Sequence, residues 1–381
     1  MNRPLDAIRV LALVAFLATT ACMDRDLTGM DPVVETIIEK TVVPPPEGKV
    51  DLLVVVDNSG SMGEEQRALA LNFPALIDEL MAPTNPEHDP VTDLNIAIVS
   101  TDMGSAGYEL NTCQHGAWGY DRGDDGCFLS TPSATVPGCM ATYPQHLHRG
   151  ADNAEAYPLD QMGADFACIA TLGTGGCGFE QQLEAARKSL TDNMGPGGCN
   201  AGFLRDDSIL AVVVVSDEED CSVGDPTIQN PHRTDLACMN IRCYLHQDML
   251  KPVATMIDGL RALRPPERFV TAFIVGTPIG DACEGRGNDI GGCLSLEEMQ
   301  YRLDPASSCD ILPSCTNPSG WGKALPPRRF VLAAQQIGDH ALVRSICQDD
   351  WRPAMDGILD LIQGAIEDVC FPRELSLDPE S

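Results

Sequence analysis

The chain has 381 residues, is 44% hydrophobic, and sets 56 Asp and Glu against 25 Lys and Arg, for a formal net charge of -31. The apolar share excludes a disordered chain, and the charge excludes a nucleic-acid binder, which needs surplus Lys and Arg to neutralise phosphates. Such acidity suits solubility and attracts divalent cations, although most of these carboxylates are expected simply to solvate the surface.

The first 22 residues read as an export signal. Arg3 and Arg9 give a positive start, 10–18 form an apolar core too short to span a bilayer, and Thr19-Thr20-Ala21-Cys22 follows. That ending resembles the cleavage box of bacterial lipoproteins, which implies lipidation of Cys22. The expected location is the bacterial cell envelope, at the outer membrane or cell surface, with contact to the membrane through the lipid only. Ordinary cleavage near Ala21, giving a secreted protein, is the alternative. Residues 23–49 are acidic and contain Pro44-Pro45-Pro46, so they read as an extended tether.

A domain is expected over 50–370, followed by a tail at 371–381. It begins with a Val-rich strand at 50–56, apolar throughout, as a strand covered on both faces must be. The strand runs into Asp57-Asn58-Ser59-Gly60-Ser61, one carboxylate and two hydroxyls within five residues. These are hard oxygen donors suited to Mg²⁺, Mn²⁺ or Ca²⁺ rather than zinc. Leu69, Phe73, Leu76, Ile77 and Leu80 then mark one face of a helix at 64–81, with Pro74 inside it. A strand at 94–100 precedes residues 102–172, which are rich in Cys, Gly and Asp without sustained periodicity. This stretch is expected to be a disulfide-stapled insertion. A helix at 179–190 leads to a second apolar strand, 208–216, which ends in Asp217-Glu218-Glu219-Asp220. One metal ligand and three solvated acids are expected there. Another insertion leads to a helix at 247–263, and a strand at 269–275, a third insertion, Cys- and Gly-rich, at 280–326, a helix at 328–336, a strand at 341–346 and a helix at 353–369 complete the pattern. Such alternation predicts an α/β fold: a doubly wound, mainly parallel central sheet flanked by helices. Ligands of such sheets gather at the carboxyl ends of the strands, where Asp57 and Asp217 both fall.

Sixteen cysteines without a Cys-x-x-Cys pair point to disulfides formed in an oxidising compartment. With Cys22 set aside, 15 remain, so at least one is left over for a free thiol or another chain. Proximity in sequence suggests Cys113 with Cys127, Cys168 with Cys177, Cys283 with Cys293, and Cys309 with Cys315.

The two strand ends together resemble the von Willebrand factor A domain and its metal-ion-dependent adhesion site. Asp57, Ser59 and Ser61 match the first loop of that site, Asp-x-Ser-x-Ser, and Asp217 matches the acid of the third. Thr174 is the candidate for the Thr of the second loop, with Thr171 or Glu180 as alternatives. The resemblance implies a divalent cation, Mg²⁺ foremost and otherwise Mn²⁺ or Ca²⁺, with one coordination position open to the carboxylate of a protein partner. The competing reading of Asp57 and Ser59 is a polar turn capping the next helix.

Other signals are weaker. Residues 121–126 look faintly like a calcium loop but lack its spacing, and the Arg122-Gly123-Asp124 tripeptide within them is short enough to arise by chance. His146 and His148 are expected in a surface loop. No His-Glu-x-x-His, Gly-x-Ser-x-Gly or phosphate-binding loop is present, so no catalytic residue is assigned and the chain is not expected to be an enzyme. The expected function is a cation-dependent binding module. A metal-assisted hydrolase and a structural envelope protein with a stabilising cation are the alternatives.

Overall fold

The computed structural model describes residues 48–113, 119–133 and 136–367. The proposed signal, Cys22, almost all of the tether and the tail lie outside them. Among the described residues a seven-stranded sheet forms the centre. Its strands are β1 (Lys49–Val56), β2 (Asp93–Ser100), β3 (Leu147–Arg149), β4 (Ile209–Ser216), β5 (Phe269–Val275), β6 (Gly285–Arg286) and β7 (Ala341–Ser345), in the order β3-β2-β1-β4-β5-β7-β6. The five inner strands run parallel, and the short β3 and β6 lie antiparallel at the edges. Parallel neighbours need crossover connections, and the intervening helices supply them. These are α1 (Gly63–Met81), α2 (Leu159–Ile169), α3 (Gln182–Leu190), α4 (Val253–Arg261), α5 (Arg328–Ile337) and α6 (Arg352–Glu367).

Alternation along β1 divides the core into two. Val50, Leu52, Val54 and Val56 face α1, α2 and α6, whereas Leu53 and Val55 face α3, α4 and α5. This is why β1 and β4 carry almost no polar residue: both faces are covered. Helix α1 continues through Pro74, and α2 lies against it, with Phe73 stacked on Phe166 at 4.2 Å between ring centres. Gly163 permits that approach, since a Cβ there would stand 3.0 Å from the Pro74 ring. Residues 102–172 are therefore more than an irregular insertion, because they contribute α2 to the core and β3 to the sheet edge. The helix expected at 247–263 starts only at Val253: Pro252 precedes it, and 247–249 form a single 3₁₀ turn. The helix expected from 179 begins at Gln182.

Seven disulfides join the described cysteines. Such a density places the folded domain in an oxidising compartment. Cys283–Cys293 forms as expected. The other three expected pairs do not. Cys113 joins Cys177, Cys127 joins Cys199, Cys168 joins Cys139, Cys309 joins Cys238, and Cys315 joins Cys347. Partners are set by which loops meet at the ends of the sheet, so separations of 64 to 72 residues are bridged as readily as short ones. Cys370 lies outside the described residues. No described helix is long and apolar enough to cross a membrane.

Candidate metal site

The order of the strands decides where a site can form. From β1 the chain moves outward to β2 and β3, then returns to the opposite side of β1 as β4. The carboxyl ends of β1 and β4 thus flank a topological switch point, where the outgoing loops diverge and leave a crevice. A cavity of about 600 Å³ opens there. Its lining includes Ser59 and Ser61 from the loop after β1, Thr174 and Glu180 from the loop before α3, and Glu218 from the loop after β4.

Asp57 is fully buried at the end of β1. Its backbone N–H donates to the Val215 carbonyl at 3.0 Å, fixing the two strand ends together. Its Oδ2 accepts from the Ser216 hydroxyl at 2.5 Å, and its Oδ1 accepts from the Ser59 backbone N–H at 2.8 Å. The latter closes an Asx turn. Helix α1 starts after Met62 with no side chain capping it, so the capping alternative for Asp57 and Ser59 is not what the loop does. The Ser59 and Ser61 hydroxyl oxygens stand 3.4 Å apart. Oxygens at adjacent corners of a Mg²⁺ octahedron lie about 3 Å apart for bonds of about 2.1 Å, so these two hydroxyls, here hydrogen-bonded to one another, need only a small shift to ligate one ion.

Asp217, 3% exposed, begins the loop after β4. Its carbonyl accepts from the Leu325 N–H at 2.8 Å, but its Oδ1 is buried without a hydrogen-bond partner. Asn58 Oδ1 and Glu65 Oε2 are likewise buried and unpartnered. Burial pushes the Asp57, Glu180, Asp217 and Glu218 carboxyls up, and their mutual repulsion pushes Glu180, Asp217 and Glu218 further; Glu218 reaches about 7. Burial, with repulsion from Glu64 and Asp57, likewise raises Glu65 to about 7. Among the described residues no Lys or Arg pairs with any of these acids. Two equally buried acids elsewhere do pair with a cation: Asp51 with Arg205, and Asp220 with Arg329 at 2.9 Å. Buried charges are normally paired, hydrogen-bonded or bound to metal, and unpartnered buried polar atoms are few in native proteins. Several such atoms and four buried acids that no Lys or Arg pairs surround this crevice, beside two close hydroxyls, and that set fits a bound cation. No three His, Cys, Asp or Glu side chains among the described residues converge as a metal-binding group. A cation here would therefore rest on hydroxyls as much as on carboxylates.

The three candidates for the second-loop ligand are placed differently. Thr174 lines the cavity, with its methyl group turned towards the start of α1, where it would lie 3.7 Å from a Cβ at Gly63. Glu180 also lines the cavity and is 3% exposed. The Thr171 hydroxyl donates to the Ala167 carbonyl at 3.0 Å and borders a neighbouring groove instead. The three acids after Asp217 are not solvated as expected. Glu218 is half-buried in the cavity wall, and Glu219 and Asp220 are buried where helices begin. The Glu219 carboxylate accepts from the Arg329 N–H in the first turn of α5, and Asp220 Oδ1 accepts from the Leu183 N–H in the first turn of α3 at 2.9 Å. Helix N-termini leave such N–H groups free and favour negative charge, which explains the acids' burial.

The cavity walls are irregular but pinned. Cys113–Cys177 ties the loop carrying Asn111 and Thr112 to that carrying Thr174 and Gly176, and Cys238–Cys309 ties the loop carrying Asn240 to the strand carrying Asp310 and Ile311. Arg242, 2% exposed, donates to the carbonyls of Ile228, Asn230, Arg233 and Ala237. Only a forked guanidinium offers so many fixed donors. Of the weaker signals, Asp124 is 9% exposed and accepts from the Ser100 hydroxyl at 2.6 Å, so the Arg122-Gly123-Asp124 tripeptide is not displayed. His148 is engaged by Asn95 at 2.8 Å and Asp152 at 3.2 Å.

No protein-family model and no curated protein matches the chain. Among solved structures, it is similar to proximal thread matrix protein 1 from the mussel byssus, at 9% identity and a TM-score of 0.29, over 61% of this chain and 39% of that one. It is also similar to the human COPII-coat protein Sec24c, at 10% identity and a TM-score of 0.28, over 63% and 27%. Each is matched over well under half its length, and at these scores neither likeness carries an argument.

One residue central to the site carried no motif. Gln66, 1% exposed in the first turns of α1, bonds to both the loop after β1 and the loop before α3. Its only trace in the sequence is its place: with Leu69 and Phe73 it continues the buried stripe of an amphipathic helix, where a polar residue is out of keeping.

Proposed function

We propose that the chain is an exported von Willebrand factor A-like binding module that captures an acidic group of a protein partner through a divalent cation. Asp57, Ser59, Ser61, Thr174 and Asp217 would hold the cation, with Mg²⁺ foremost and Mn²⁺ or Ca²⁺ as substitutes. The observation that carries this reading is the buried, unpartnered Asp217 Oδ1. It stands among carboxyls that repel one another, at the switch point of a mainly parallel sheet, beside the paired Ser59 and Ser61 hydroxyls. A doubly charged ion would relieve that repulsion. Because two of the ligating groups are neutral hydroxyls, the ion would keep a net positive field towards the cavity and attract one more carboxylate. The walls around it, built from loops on a rigid scaffold, would select the partner. A lipid on Cys22, with the 23–49 tether, would hold the module at the cell envelope, and cleavage near Ala21 would release it instead.

The test is capture of partners from envelope extract on the immobilised mature chain. Mg²⁺ should support capture, and EDTA or Asp57→Ala should abolish it while the circular dichroism spectrum stays folded. Capture that persists under both treatments removes the reading. A metal-assisted hydrolase has one observation in its favour: Glu180 and Glu218 line the cavity, where a carboxylate can serve as a base. Mn²⁺-dependent turnover of generic phosphoesters or esters, lost in Glu218→Gln, would select that reading.

A further inference from the structure

We infer that Gln66 is a positioning residue of this site, holding the second loop at a fixed distance from the first so that the Thr174 hydroxyl faces the cation. The inference rests on the cation-site reading above.

The geometry is a two-sided clamp. Gln66 Nε2 donates to the Asp57 carbonyl at 2.8 Å and to the Gly173 carbonyl at 2.9 Å, and Gln66 Oε1 accepts from the Gly173 N–H at 3.0 Å. One side chain thus grips both polar groups of Gly173 while touching the backbone of the residue that opens the first loop. Three residues further on, the Gly176 N–H donates to the Asn58 carbonyl at 2.8 Å. Residues 173 and 176 are both fastened to the first loop, and Thr174 lies between them. Gly173 can accept the grip because its φ is +83°, a conformation that glycine adopts without steric cost. Gly176 must also lack a side chain, since a Cβ there would stand 2.0 Å from Asn58 Oδ1.

No other side chain reproduces the clamp. Glutamate would set a carboxylate against two carbonyl oxygens, and methionine would fill the space but leave those groups without their partner. Gln66 does not line the cavity at the strand ends and borders only the neighbouring groove, so its effect on a cation passes through the two loops it grips. Residues that orient metal ligands from behind typically change affinity by about 10–100-fold when replaced.

The test is calorimetric titration of Mg²⁺ and Mn²⁺ into the full mature chain, with a melting curve in EDTA for each variant. Gln66→Met and Gln66→Glu should each weaken uptake at least about tenfold. Thr174→Val should do the same, and Gln66→Met should add little in the Thr174→Val background, because both changes remove one function. Asp57→Asn reports separately on the site itself. If Asp57→Asn abolishes uptake while a folded Gln66 variant binds like wild type, the inference is overturned and the site stands. Unchanged uptake in Thr174→Val, which leaves the clamp intact and alters an exposed residue, overturns it equally, even where the Gln66 variants fail to fold. Additive losses in the double variant would mean that Gln66 acts on general stability rather than through Thr174. No uptake by wild type would remove the site and the inference together.

Discussion

Replacing Asp217 with Asn should make the cation-free protein more stable, which is the opposite of what a typical buried substitution does. Asp217 is 3% exposed and its Oδ1 has no hydrogen-bond partner; Ser61 hydrogen-bonds to the carboxyl, but burial and repulsion from Asp57, Glu218 and Glu65 outweigh that bond. An unsatisfied buried polar group costs about 1–3 kcal/mol, and more when charged. Asn keeps the shape and removes the charge, so a gain of about 1–3 kcal/mol is expected in EDTA. At about 2 °C per kcal/mol for a domain of this size, Tm should rise by about 2–6 °C. Cation should have the reverse pattern. Wild type at 100 times its dissociation constant should gain about 2.7 kcal/mol, or about 5 °C, from Mg²⁺. Asp217→Asn should gain much less. The assay is differential scanning calorimetry of both proteins at pH 8, where more of the raised carboxyls are ionised, in EDTA and in Mg²⁺. A lower Tm for Asp217→Asn in EDTA, or an undiminished response to Mg²⁺, would refute the electrostatic account of the site.

Two further outcomes follow from buried charges outside the ligand set. Burial raises Glu65 to about 7 and Asp102 to about 6, from ordinary values of 4.5 and 3.8. A carboxyl raised by folding contributes stability that is complete below its unfolded value and is lost as pH rises through the folded one. Tm in EDTA should therefore fall between pH 4.5 and 7.5, and Glu65→Gln with Asp102→Asn should flatten that slope; a flat or rising wild-type profile contradicts it. Arg329 pairs with Asp220 at 2.9 Å, and its backbone N–H meets Glu219, all three being buried. Arg329→Met should cost about 3–5 kcal/mol by denaturant unfolding, because it strands a buried acid. A loss under about 1 kcal/mol would mean that water replaces the guanidinium there.

The regular elements were legible because local chemistry alone specifies them. Apolar runs bounded by turn residues located β1, β2, β4, β5 and β7 to within a residue or two. Helix stripes located α1, α5 and α6 as closely. Legibility failed where the deciding force is not local. Residues 102–172 concealed α2, whose Met162, Phe166 and Ile169 make a short stripe inside a Gly- and Cys-rich stretch. Glu219 and Asp220 look like surface acids in the sequence, which does not show which helix N-termini will settle on an acid.

By itself, the sequence determined the alternating α/β character, the both-face burial of β1 and β4, and the oxygen donors at their ends, since each depends on residues within one strand or one turn. Tertiary structure alone decided the strand order that makes the ends of β1 and β4 neighbours. It also decided six of the seven disulfides, bridging up to 72 residues, and the amide clamp by which Gln66 in α1 reaches Gly173, 107 residues away. Those features arise from closing long loops onto a sheet already formed. What lies beside what is then set by packing and loop closure, which leave almost no trace in the local order of residues.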